Sequence, residues 1–391
     1  MYGHARPFLW LHVLLVVAAL SGCGGGGRHA HELLKETSVP AAAGAIAGKH
    51  DIFVATTRSA ASDKREVYSG GRAAELGLVK IGITVPAIHK IGAIERPSGK
   101  KANPAKFFTA TSVTAYDPES FKAALRADLA RHDGRALIFI HGFNTRFDDA
   151  VYRMTQLVHD ADYQGTPVLF SWASAGSITD YFYDTNSATI ARDRLEATLR
   201  MLVAAGAKRV DIIAHSMGNW VTMEALRQLA ITHDKDLDGR LGDVLLASPD
   251  IDIDVFKSQM ARYGKPRKPF VVMLSGDDRA LLISRLLAGN KPRVGDYGDA
   301  KDLAQLGVVV VNVSAIASGD RLNHSKFADN PVLVRLLGQR LNGSGDSLAT
   351  SNEQFSDKVG QLTAGIGGVV TKAADIIITT PLKVVTIAVG G

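Results

Sequence analysis

Ile213-Ala214-His215-Ser216-Met217-Gly218-Asn219 is the stretch whose reading decides this chain. It continues a strand-like apolar run, Val210 to Ile213, and leads into a helical one, Asn219 to Leu229. A serine pinched between strand and helix, with small residues two positions before and two after, matches the G-x-S-x-G pattern of a nucleophile held on a tight, strained turn. The flanks must be small because a larger side chain would meet neighbouring backbone. Ala214 in place of the first glycine is the mildest departure available. The motif predicts an activated serine.

Working outward, near-continuous apolar runs lie at Ala136 to Ile140, Val168 to Trp172, Val244 to Ala247, Phe270 to Leu274 and Val308 to Ile316. Helical periodicities lie between them, such as Val151, Met154, Leu157 and Val158, or Leu195, Leu199 and Leu202. Continuous apolar strands separated by amphipathic helices predict a mostly parallel central sheet with helices on both faces. Earlier strand-like runs, Ile52 to Thr56 and Leu78 to Val85, precede this alternation, and Gly206 sits where a helix should end.

A serine hydroxyl needs a neighbouring base, and that base needs a carboxylate to fix its tautomer. In the architecture that carries this motif the chain order is serine, acid, histidine, with the later two just past the C-terminal ends of strands. His324 follows the last strong strand after a loop containing Gly319 and Asp320, whereas His233 lies in a polar helix end. For the acid, Ser275-Gly276-Asp277-Asp278 follows the Phe270 to Leu274 strand, so one aspartate is expected to cap the next helix and the other to face the histidine. Asp278 is favoured. Asp277 is the first alternative, and Asp252, in the set Asp250, Asp252 and Asp254 after the preceding strand, the second. Backbone amides of Met217 and Phe143, the latter in His141-Gly142-Phe143-Asn144, are the expected oxyanion hole. His141 reads as a loop-shaping residue and His215 as a local packing or hydrogen-bonding one.

The ends of the chain read differently. Residues 1–22 carry His4 and Arg6, an apolar run from Phe8 to Leu20, and then Ser21-Gly22 before Cys23, the single cysteine. This is the pattern of a secretory signal, and its end resembles the lipobox of bacterial lipoproteins. That resemblance implies acylation of Cys23 at a mature N-terminus and, with Gly24 next, an outer-membrane destination in a bacterial cell envelope. Residues 23–49 read as a flexible tether, 50–341 as the catalytic domain, and 342–391 as an apolar, glycine-containing tail. In the tail, Phe355, Val359, Leu362, Ile366, Val369 and Ala373 share one helical face, and Ile376 to Ile378 and Val384 to Val389 are β-prone. This ending could lie on a membrane, pack on the domain or stay partly disordered.

Net charge is +6, or +5 without the leader's Arg6, and is spread along the chain. No basic-aromatic cluster points to nucleic acid. No His/Cys spacing points to a metal and no cofactor is required. Oligomeric state is left open.

Several stretches together carry a family resemblance: Tyr68-Ser69-Gly70-Gly71-Arg72, Phe139 to Thr145, Phe170-Ser171-Trp172, the Ser216 turn, Ser248-Pro249-Asp250-Ile251-Asp252, Asp278-Arg279-Ala280-Leu281 and Asn323-His324-Ser325. Between Asp51 and Leu341 the chain resembles bacterial α/β-hydrolases of unknown function in the esterase/lipase superfamily. In that family alanine commonly replaces the first glycine of the serine turn, and the Asp-x-Ala-Leu match favours Asp278. The resemblance implies an α/β-hydrolase fold and carboxylic-ester hydrolysis as a class; the expected triad would act through an acyl-enzyme on a small or lipid-like ester. Thioester or amide cleavage, acyl transfer, or a non-catalytic membrane-tethered binding module are the other readings. Trp172-Ala173-Ser174 departs from the family's frequent Trp-Pro-Ser.

Overall fold

A computed structural model describes residues 41–42, 44–62, 66–96, 103–343 and 374–389. The leader, Cys23 and the apolar helical face Phe355 to Ala373 lie outside the described residues. The described strands form one sheet. Its centre consists of β4 (Arg135–Ile140), β5 (Thr166–Ser171), β6 (Arg209–His215), β7 (Leu241–Ala247), β8 (Val271–Leu274) and β9 (Val309–Asn312). These run parallel in the order β9-β8-β7-β6-β4-β5, and β1 (Ile46–Ala60) adds to β5 in parallel. Antiparallel β2 (Tyr68–Pro86) and β3 (Thr109–Ala115) extend that edge.

Successive side chains of β4 serve opposite faces, which explains its unbroken apolar run. Ile138 and Ile140 join a core with Phe121 and Leu125 of α1 (Pro118–Arg131), Leu195 and Leu199 of α3 (Tyr181–Ala204) and Leu226 of α4 (Gly218–Ile231). Leu137 and Phe139 join a second core with Val151 and Met154 of α2 (Phe147–Asp160) and Leu333 and Leu337 of α7 (Pro331–Asn342). The expected two-faced parallel sheet is therefore present. Gly206, at φ 107°, closes α3 in a left-handed turn.

Several boundaries differ from the sequence reading, for physical reasons. β1 and β2 are 15 and 19 residues long because an antiparallel hairpin tolerates polar residues on its open face, which interrupts the apolar run. β9 stops at Asn312, whose side chain accepts the amide and hydroxyl of Ser314 and turns the chain. The ending of the chain packs on the domain: β10 (Ala374–Thr379) pairs antiparallel with β9, and β11 (Val384–Val389) with β10. Ile376, Ile378 and Ile387 are buried in the second core. The sheet thus extends beyond residues 50–341 at both ends. No helix among the described residues is long and apolar enough to cross a membrane.

Candidate active site

β6 ends at His215 and α4 begins at Gly218, so Ser216 and Met217 make the whole connection. Ser216 adopts φ 54°, a left-handed conformation costly for a residue with a Cβ. Hydrogen bonds hold it there. Its amide donates to the Ala247 carbonyl at 3.0 Å. Asn219 Nδ2 donates to the carbonyls of Ser216 and Ala247, each at 2.9 Å, and the Asp250 amide donates to Ser216 O at 3.2 Å. Close approach of β4 explains the small flank: a Cβ on Gly218 would lie 2.4 Å from His141 O and 2.6 Å from Ile140 O.

The acid comes from the turn between β8 and α6 (Arg279–Leu287). Asp278 Oδ2 accepts from His324 Nδ1 at 2.7 Å. Its Oδ1 accepts the Ala280 and Leu281 amides at 3.0 and 3.1 Å, capping α6. Capping and facing the histidine, which the sequence reading divided between two aspartates, thus fall to one carboxylate. Asp277 turns away instead. It accepts from Lys326 Nζ at 2.6 Å, Ser275 Oγ at 2.8 Å and Asn323 Nδ2 at 2.9 Å. Asp252 caps α5 (Ile253–Tyr263) through the amides of Asp254 and Val255. Neither alternative acid reaches the histidine.

His324 is clamped from behind. Its amide and that of Ser325 donate to the Asp320 carboxylate at 3.1 and 2.7 Å. Its carbonyl accepts from His215 Nε2 at 3.1 Å and Ser248 Oγ at 3.3 Å. The His215 and His324 rings stand 4.5 Å apart, so the neighbour of Ser216 seats the histidine loop against the serine turn. With Nδ1 engaged by Asp278, the neutral ring carries its lone pair on Nε2. Among the described residues the Ser216 hydroxyl does not hydrogen-bond to that ring; such contacts often tighten only when substrate binds.

Electrostatics separate three histidines. Burial favours neutral His324, but the charge and hydrogen bond of Asp278 outweigh it, and the ring's pKa is raised above its ordinary 6.5. Burial, then the His324 charge, pushes His215 well down. Burial and the Arg58 guanidinium lower His141 to about 3, so it stays neutral at physiological pH.

His141 shapes the loop, as expected. Its ring stacks on Trp172 with centroids 5.2 Å apart, and Trp172 Nε1 donates to its carbonyl at 2.8 Å. Gly142 brings the loop against Ser216: a Cβ there would sit 2.7 Å from Ser216 Cβ. Among the described residues the amides of Phe143 and Met217 donate to no protein acceptor, and both lie beside the serine turn. The arrangement offers a carboxylate-backed imidazole, a strained serine and two unspent backbone donors.

The family of alpha/beta hydrolases of unknown function (DUF900) matches residues 117–340, more than half of the chain. The protein belongs to that family. The parallel strands β4 to β9, the serine turn and the histidine loop fall within the match. No curated protein matches the sequence.

This alpha/beta hydrolase also carries site residues that sequence reading missed. Arg58 of β1 is 1% exposed. It donates to the carbonyls of Thr145 at 2.7 Å and Ser174 at 2.8 Å, and to Ser171 Oγ at 2.9 Å, bracing the Gly142 loop from behind. Buried Asp184 accepts from Ser174 Oγ at 2.5 Å and the Ala175 amide at 2.7 Å. Ala173 donates its amide to Thr57 Oγ1 at 3.1 Å, a bond that proline at this position would lack. Asp250, which the sequence did single out within the second aspartate set, is buried beside the serine turn, where it pairs with Arg293 at 3.2 Å and accepts from Ser284 Oγ at 2.5 Å. Tyr181 joins this group through Ser284 Oγ, and its ring packs on Phe143. Asp184 lies nine or ten residues from its partners and the other partners lie farther apart, so no short motif marks them.

Proposed function

We propose that the protein is a serine hydrolase that cleaves carboxylic esters through an acyl-enzyme. The observation that carries this reading is the 2.7 Å bond from His324 Nδ1 to Asp278, in a loop seated against a serine at φ 54°. In the proposed cycle Ser216 Oγ attacks the acyl carbonyl and His324 Nε2 takes its proton. The amides of Phe143 and Met217 receive the developing oxyanion, each worth about 3 to 4 kcal/mol of barrier. His324 returns the proton to the departing alcohol, then activates the water that releases the acid. Asp278 holds the ring in the working tautomer throughout.

The surroundings favour an apolar, lipid-like acyl group. Phe182 is 72% exposed beside Tyr181, and Leu282 and Leu286 lie exposed on α6, which Asp278 caps. Acylation of Cys23 would hold the enzyme at a membrane of a bacterial cell envelope, next to such substrates; the lipobox-like sequence supports this part. A fluorophosphonate probe tests the catalytic reading. The native protein should be labelled covalently and Ser216→Ala should not be. An unlabelled native protein, or a labelled Ser216→Ala, refutes it.

A further inference from the structure

Three imidazoles and two carboxylates converge at the end of α2 remote from the Gly142 loop. At 1.5 Å per residue the 14-residue helix separates the two places by about 21 Å. His159 and Asp160 end α2, His89 and Glu95 come from the loop after β2, and His50 comes from β1. Ligand atoms of His89, His159 and Asp160 all lie within 4.8 Å of one another. His50 Nε2 is 3.1 Å from His159 Nδ1.

The outer contacts are also those of a metal site. His89 Nδ1 donates to Glu95 at 2.7 Å, the carboxylate–histidine arrangement that orients a ligating ring, and its Nε2 faces Asp160 Oδ1 at 2.7 Å. The second oxygen of Asp160 accepts from Gln156 Nε2 at 2.6 Å and the Gly92 amide at 2.8 Å, which fixes the carboxylate. Imidazole-rich sets select zinc-like cations over Mg²⁺ or Ca²⁺.

We propose that His89, His159 and Asp160 bind a zinc-like divalent cation that staples the loop after β2 to the end of α2, with His50 held against His159 as its hydrogen-bond partner. On binding, the proton shared between His89 Nε2 and Asp160 passes to solvent, and both atoms turn to the ion. The site is remote from Ser216, so it acts on stability and not on the ester reaction.

The test is titration of the metal-stripped full chain, in detergent, with ZnCl₂ and separately with MgCl₂. We expect one equivalent of Zn²⁺ to bind, to release a proton seen as a buffer-dependent heat, and to raise the unfolding temperature, while Mg²⁺ does none of these. Glu95→Gln should weaken Zn²⁺ about 10- to 100-fold. His159→Ala should abolish the binding, and the native chain's proton release keeps the test decisive if that variant folds poorly. No saturable Zn²⁺ binding to the native chain, binding without proton release, or unchanged affinity in folded His159→Ala overturns the proposal. Fluorophosphonate labelling is expected to be unaffected either way.

Discussion

Replacing Asp278 with Asn is the most informative perturbation of the site, because the structure assigns that side chain two separable tasks. The cap of α6 needs only an acceptor for the Ala280 and Leu281 amides, and an asparagine carbonyl oxygen supplies one. Stability should therefore change by only a few tenths of a kcal/mol, whereas Asp278→Ala should cost about 1 kcal/mol through loss of the cap. Facing His324 Nδ1, the asparagine amide presents an N–H instead of a carboxylate. It then favours the tautomer protonated on Nε2, which cannot accept the proton of Ser216. A wrong tautomer with intact geometry lowers kcat by about 10⁴ in the serine protease triad used as the template case, and the same order is expected here. Asp277→Asn leaves the His324–Asp278 bond in place and should cost less than about tenfold. The assay is steady-state hydrolysis of p-nitrophenyl esters alongside thermal unfolding of both variants. If Asp278→Asn keeps more than a tenth of the native kcat while Asp277→Asn loses it, the assignment of the acid is wrong.

Three further outcomes follow from the same geometry. With the His324 pKa raised by Asp278, the ring stays protonated and inactive as a base through pH 6.5; kcat/KM should rise with unit slope to a plateau above that pH, and a rate unchanged down to pH 5 would refute the assigned base. The linkage sign is opposite for stability: a raised pKa means that the His324 contribution is complete below the ring's unfolded value and is lost as pH rises through the folded one. Gly142→Ala places a Cβ against Ser216 Cβ and should displace the oxyanion loop, lowering kcat on the order of 10²-fold with little change in fold by circular dichroism; near-native kcat would show the loop to be remote from the chemistry. Cys23→Ala should release the protein from membranes in fractionated cells, and persistent attachment would assign the anchor to another segment.

What the sequence determined was local. The serine turn, the strand that feeds it, the His-Gly loop and the Asp-x-Ala-Leu cap are each short, and each residue's requirement is set by backbone within a few positions. Gly142 and Gly218 bridge the two levels: sequence marks them as small, but only the fold shows that they face Ser216 and the β4 carbonyls. Tertiary structure alone decided that Asp278 serves both helix and histidine, that Asp277 belongs to Lys326, and that Arg58 braces the Gly142 loop. It also decided that the last strands cover the β9 edge and that His50, His89 and His159 meet. Those pairings join residues tens to more than a hundred positions apart, and they are set by sheet order and side-chain direction. Apolar periodicity specifies which face of an element is buried, but not which distant element it meets there.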